Sequence, residues 1–134
     1  KDIPTDEETP EVMHAYARLL AHKGNSDTAQ RFIEKQLSRH WDPVLIDLYG
    51  DISGGEVDLR HLQMEKWKCD YDDDAHLWQA FAKIYLLKNM PEKAEEALVQ
   101  ALSIKELPEA RRMLVKLLVE KEDFSQAAQY SVGL

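Results

Sequence analysis

Little in this sequence points to covalent or redox chemistry. A single cysteine, Cys69, excludes an internal disulfide framework and leaves too few thiolates for a structural zinc site. Gly-x-Gly-x-x-Gly is absent, and with it the common dinucleotide fingerprint; Cys-x-x-Cys-His, the covalent haem-attachment motif, is absent too. No Ser/His/Asp or Cys/His arrangement has a recognisable local context, so no enzyme is expected. No run approaches the roughly 18 to 20 apolar residues that a membrane span needs. The opening KDIPTDEETP is acidic and lacks an apolar core, which excludes a signal peptide, and a start at Lys1 without methionine predicts a fragment. Positive charge is in deficit. With 17 basic against 25 acidic residues the net charge is −8, which argues against nucleic acid as a partner, because phosphate binding needs a basic face. Strand signals are missing as well: there is no sustained apolar/polar alternation and no Asn-Gly or Asp-Gly turn.

What remains is helical periodicity in a chain long enough, at 134 residues, for one domain with its own core. The apolar spacing predicts helices at about 10–23, 25–40, 43–52, 57–69, 73–88, 91–105, 108–121 and 123–132. Pro10 and Pro91 suit first turns, Asp42, Asp72 and Asp123 are candidate N-caps, and Gly24 and Gly54-Gly55 are stops. Links this short make sequence neighbours antiparallel.

The helices pair by a rule. Ala82 and Ala94 lie twelve residues apart, as do Ala17 and Ala29, and Lys116 and Ala128 keep that spacing in the last pair. Antiparallel helices approach closely only where side chains are small, and large neighbours then fill the grooves. Ala94 to Ala128 is 34 residues, the tetratricopeptide (TPR) period. Trp78, Phe81, Ala82, Tyr85, Ala94, Leu98, Ala101 and Pro108 match that signature at nearly every marker. Met13, Tyr16, Ala17, Leu20, Ala29 and Ile33 form a first repeat, and Val115, Val119, Phe124 and Ala128 mark the last. A middle repeat is degenerate: Gly50 serves as its small residue with Leu62 twelve residues on, and YGDISGGEVDLRHL cuts its first helix short. The expected fold is all-α, a TPR-like superhelical solenoid in a single domain over 1–134, with units at about 10–42, 43–72, 73–107 and 108–134.

Several stretches go beyond a generic repeat. WDPVLIDLYGDISGG, then LRHLQMEKWKCDYDDDAHLWQAFAKIYLLKNMPEKAEEAL, then AAQYSVGL resemble the C-terminal half of HemY-type proteins, which are membrane-anchored bacterial TPR proteins associated with haem biosynthesis. The markers are Trp41-Asp42, Leu48-Tyr49-Gly50, Lys66-Trp67 and the acidic link Tyr71 to Asp74; KNMPEKA departs from the family's aromatic-Gly-Lys-Ala link, keeping only Lys93 and Ala94. The resemblance implies the soluble repeat domain of an inner-membrane protein, attached through an N-terminal anchor that this sequence lacks. It implies a scaffold that holds haem-biosynthesis enzymes or intermediates, with a haem- or porphyrin-binding carrier as the alternative. The lone Cys69 tilts the domain to the cytoplasmic side.

Candidate sites follow. Asp72, Asp73, Asp74 and His76 form the densest acidic cluster, read here as a helix start rather than a metal site, since the Gly and distal Glu of a calcium loop are absent. No cofactor is expected; were haem bound, His14, His22, His40, His61, His76 and Cys69 would supply its ligands. The better candidate is the concave face lined by the first helix of each pair. Projection places His14, Arg18 and His22 there, then His76, Gln79, Lys83 and Leu87, then Met113, Leu117 and Lys121. This face is expected to be more basic than the chain as a whole and to take an acidic or C-terminal segment of a protein partner. The bland alternative is that these are solvated helix positions.

Overall fold

The computed structural model describes residues 9–132. Lys1 to Glu8 and the final Gly133-Leu134 lie outside the described residues, as do the expectations placed on them. Among the described residues eight helices follow one another: α1 (Pro10–His22), α2 (Ser26–Arg39), α3 (Pro43–Asp51), α4 (Val57–Tyr71), α5 (Ala75–Leu87), α6 (Pro91–Ile104), α7 (Pro108–Glu120) and α8 (Phe124–Ser131). No described residue is in a strand. Local chemistry sets the ends. The Thr9 hydroxyl accepts the Val12 N–H at 3.2 Å, and Pro10, Pro43, Pro91 and Pro108 open their helices where a missing N–H costs nothing. Gly24 stops α1 at φ +77°, a left-handed conformation for which glycine is suited. Asp42 and Asp123 cap α3 and α8 as expected. Asp72 does not cap α5. It closes α4 instead, and Asp74 makes the cap, accepting the His76 N–H at 2.8 Å.

The array is sequential. α1 packs on α2, α5 on α6 and α7 on α8, while α3 touches α1, α2 and α5, and α6 touches α7. Ala17, Ala29, Ala82 and Ala94 are fully buried, as close crossings require, and Ile33, Phe81, Ile84 and Leu98 fill the space around them. The last pair departs from the sequence projection. First helices begin at Pro10, Pro43, Ala75 and Pro108, which are 33, 32 and 33 residues apart. The last interval is therefore one shorter than the 34 read from Ala94 to Ala128. Lys116 and Ala128 are exposed, and Val115 and Ala127 take the inward positions, with Ala127 buried.

The middle unit works differently from its neighbours. Gly50 is indeed a close-contact residue, but its neighbour is α5: a Cβ there would lie 3.0 Å from the Ala80 Cα and 3.1 Å from its Cβ. Leu62, expected opposite Gly50, is 57% exposed on the outer face of α4. α3 ends early and hardly touches the α4 backbone. Large rings hold the two apart: Trp67 meets Tyr49 edge-on at 5.1 Å and Trp41 at 5.7 Å, and Trp41 stacks on Tyr71 at 3.9 Å. Trp41, half-buried, also donates its Nε1–H to Asp74 at 2.5 Å, joining the α2–α3 link to the start of α5. The close α3–α5 crossing predicts that Gly50→Val loses about 1–3 kcal/mol, since the added methyls meet backbone that cannot rotate away. A urea melt reports this as a lower midpoint at unchanged slope.

The stretch that interrupts the second unit is held by a side chain that no sequence motif marks. Arg60 is fully buried, and its guanidinium donates to the Ile52 and Gly54 carbonyls, each at 2.7 Å, and to Gln30 Oε1 at 3.5 Å. Gln30 donates to Glu34 at 3.1 Å, and Glu34 accepts the Tyr49 hydroxyl at 2.5 Å. Burial lowers the Arg60 value from that of an ordinary arginine, opposed by Tyr49, Glu34 and Asp27. Burial, then the hydrogen bond to Glu34, pushes the Tyr49 phenol far up. This network ties α2, the end of α3 and α4 together where helical hydrogen bonds have run out.

Candidate protein-docking face

Near-equal spacing of the first helices brings their side chains into register. Offsets of 33, 32 and 33 place Arg18, Asp51, Lys83 and Lys116 in one track, and His14, Asp47, Gln79 and Arg112 in another. Glu11, Val44, His76 and Glu109 form a third. Apart from Val44, these positions are polar.

Its centre is densely paired. His76 Nδ1 lies 2.8 Å from Asp47 Oδ2. Gln79 Nε2 donates to Asp47 and to Glu109, each at 3.1 Å. Lys83 Nζ lies 2.8 Å from Asp51 and 3.4 Å from Glu109. Three successive first helices, α3, α5 and α7, are thus joined by polar side chains, with Gln79 and Lys83 buried. Burial alone would depress the Lys83 ammonium, but the hydrogen bond and charge of Asp51, aided by Glu109 and Asp47, hold it above an ordinary lysine. At the other side of α3, His14 Nε2 lies 2.7 Å from Asp42.

Of the residues projected from sequence, His76, Gln79 and Lys83 come together, Arg18 and His22 are exposed on α1, and Leu87 is 44% exposed at the end of α5. The α7 group falls elsewhere. Met113 is half-buried, Leu117 is buried, and Lys121 pairs with Glu95 of α6 at 2.8 Å. With an interval of 33, the residues in register are Arg112 and Lys116, both exposed. Spacing between Pro10, Pro43 and Pro108 was the signal that could have given this register. Sequence reasoning also passed over Asp47, Asp51 and Glu109. The first two lie on the helix of the degenerate unit, and they turn an expected basic face into one of mixed charge.

His76 makes the face sensitive to pH. Its hydrogen bond to Asp47 raises the imidazole above 6.5, against partial desolvation. Because the folded value exceeds the unfolded one, protonated His76 stabilises the fold fully below about pH 6.5 and less as pH rises through the folded value. Melting wild type and His76→Gln between about pH 6 and pH 8 should show a gap of at most about 1 kcal/mol that narrows as pH rises. A constant gap would contradict it.

His14 and His76 are engaged with carboxylates, and His61 lies 2.9 Å from Lys88 Nζ and 3.3 Å from Glu65. Among the described residues no group of three or more His, Cys, Asp or Glu is placed to hold a metal ion, and no helix is long and apolar enough to cross a membrane.

Residues 75–106, which hold α5 and α6, match the tetratricopeptide-repeat family. The chain is similar in structure to a thermophilic TPR protein of Thermus thermophilus solved by crystallography, with a TM-score of 0.70 and 18% identity over 92% of this chain and 71% of that one. At that identity the likeness speaks for the fold, which is an all-α TPR solenoid. No curated protein sequence matches the chain. TPR arrays generally present extended surfaces for protein–protein interaction.

Proposed function

We propose that this chain is a non-catalytic protein-interaction scaffold that receives a segment of another protein along the face of α1, α3, α5 and α7. The observation that carries this reading is the register of polar side chains across four first helices. The face runs from Arg18 and His22 at one end, through His14, His76, Gln79 and Leu87 with Lys83 holding Asp51 and Glu109 beneath the partner, to Arg112 and Lys116, in place of Met113, Leu117 and Lys121, at the other. Exposed Arg18 and Lys116 make no ion pair among the described residues and are available to a partner.

By the resemblance of its Trp41-Asp42, Leu48-Tyr49-Gly50 and Lys66-Trp67 stretches to HemY-type proteins, the partners would be enzymes of late haem biosynthesis. The working location would be the cytoplasmic side of a bacterial inner membrane, reached through an anchor outside this sequence. Cross-linking in cells with wild type and an Arg18→Glu/Lys116→Glu variant tests both statements. The variant should melt within about 0.5 kcal/mol of wild type, as surface changes do, yet lose its cross-linked partners. Retained partners would remove the face, and a partner set without haem enzymes would remove the pathway.

A further inference from the structure

The centre of the face has a charge imbalance that its own residues do not cancel. Asp47, Asp51 and Glu109 bring three carboxylates together, against one ammonium, Lys83, and one imidazole, His76. Asp51 and Glu109 are both half exposed, and both lie within 3.4 Å of the Lys83 Nζ, so they face one small region. Asp51 engages Lys83 through Oδ1, which leaves its second oxygen open to a further donor. A second observation points the same way. Gln79 is 2% exposed and spends its amide N–H groups on Asp47 and Glu109, while its Oε1 is buried without a hydrogen-bond partner. Lys83 Nζ, the one ammonium here, is likewise buried without a well-aligned hydrogen bond although it lies within 3.4 Å of Asp51 and Glu109, so the polar groups of this centre are incompletely satisfied by one another. Exposed cations stand at the ends of the same tracks, Arg18 on α1 and Arg112 and Lys116 on α7. In the two tracks that carry Asp51 and Asp47 the carboxylates are thus flanked by exposed cations on α1 or α7.

We infer that the centre of this face takes a basic side chain of the partner, an arginine or lysine flanked by acidic residues, held between Asp51 and Glu109. This rests on the docking reading above and names the chemistry of its occupant. It reverses what the sequence suggested, because the acidic segment expected for a basic face would meet three carboxylates here. An arginine suits the place better than a lysine, since its planar fork can give parallel N–H groups to two carboxylates at once. Complementarity of this kind selects partners and sets register more than it adds raw affinity.

Panning a random phage-displayed peptide library against the full chain tests the inference. Selected peptides should share an arginine or lysine with acidic residues on either side. Resynthesised, they should bind Asp51→Asn and Glu109→Gln about threefold to fivefold more weakly, and peptides with that basic residue changed to alanine should lose this sensitivity. Lys83→Met, which removes the internal competitor, should shift binding the other way and tighten it. Circular dichroism melts of each variant establish that it is folded. Peptides enriched without a basic residue, or indifferent to Asp51 and Glu109, would overturn the inference while leaving the docking face standing. No enrichment at all would sink the docking face and the inference together.

Discussion

Arg60→Ala is expected to lower stability by about 3–5 kcal/mol, a fall in melting temperature on the order of 10–20 °C for a chain of this size. The guanidinium is fully buried and serves the Ile52 and Gly54 carbonyls at 2.7 Å, while reaching Gln30 on α2. Its loss strands buried acceptors, opens a cavity under the α3–α4 link and frees the Gln30–Glu34–Tyr49 chain of hydrogen bonds at one end. Arg60→Lys should recover little, because one ammonium on a flexible stem cannot reproduce a fork that bridges two carbonyls. Thermal unfolding followed by circular dichroism gives the answer, and a loss below about 1 kcal/mol for alanine would show that the link holds itself.

The second large effect is at Lys83. Lys83→Glu places a fourth carboxylate beside Asp47, Asp51 and Glu109 at a position only 8% exposed. Breaking a buried ion pair costs about 3–5 kcal/mol, and the half-exposed Asp51 and Glu109 put this case at the lower end, about 3 kcal/mol. Lys83→Met is expected to lose less, about 1–2 kcal/mol, because it breaks the same pair but adds no fourth carboxylate, keeps the stem's packing, and leaves behind half-exposed Asp51 and Glu109 that water can solvate. The pair of variants separates loss of the ammonium from gain of a carboxylate. Equal losses in denaturant melts would mean that the missing ammonium, and not the added carboxylate, accounts for the effect. A charge reversal at Lys83 is consequently no test of partner binding, since the fold itself would weaken.

Much of the architecture was legible in the residues. The helix starts expected at Pro10, Pro43, Pro91 and Pro108 coincide with those observed, because a proline at the first turn leaves little freedom. The crossings at Ala17/Ala29 and Ala82/Ala94 were visible because a small side chain among large ones marks where a second helix can come close. The α7 face was misplaced for a mechanical reason: one residue of error in the repeat is a rotation of about 100°, enough to exchange buried Leu117 for exposed Lys116. Pairing across helices was not legible at all. Asp47 and Glu109 lie 32 and 30 residues from Gln79, on opposite sides of it in the chain, and no local pattern announces that they share a surface. Arg60 hid for a related reason. It lies on the inward face of α4 with Met64, Trp67 and Tyr71, where apolar side chains are the rule, and pattern alone reads a cation there as solvated.

The close approach of Gly50 to Ala80 changes which parts of this chain come apart together. In a regular array each helix hairpin is the natural unit of local opening. Here α3 packs most closely on α5, across the boundary between hairpins, while its own partner α4 reaches it through rings and Arg60 and lies against α5 as well. Amide protons of α3 would accordingly exchange in step with those of α5 and α6, so that the middle of the array opens as one block and not hairpin by hairpin.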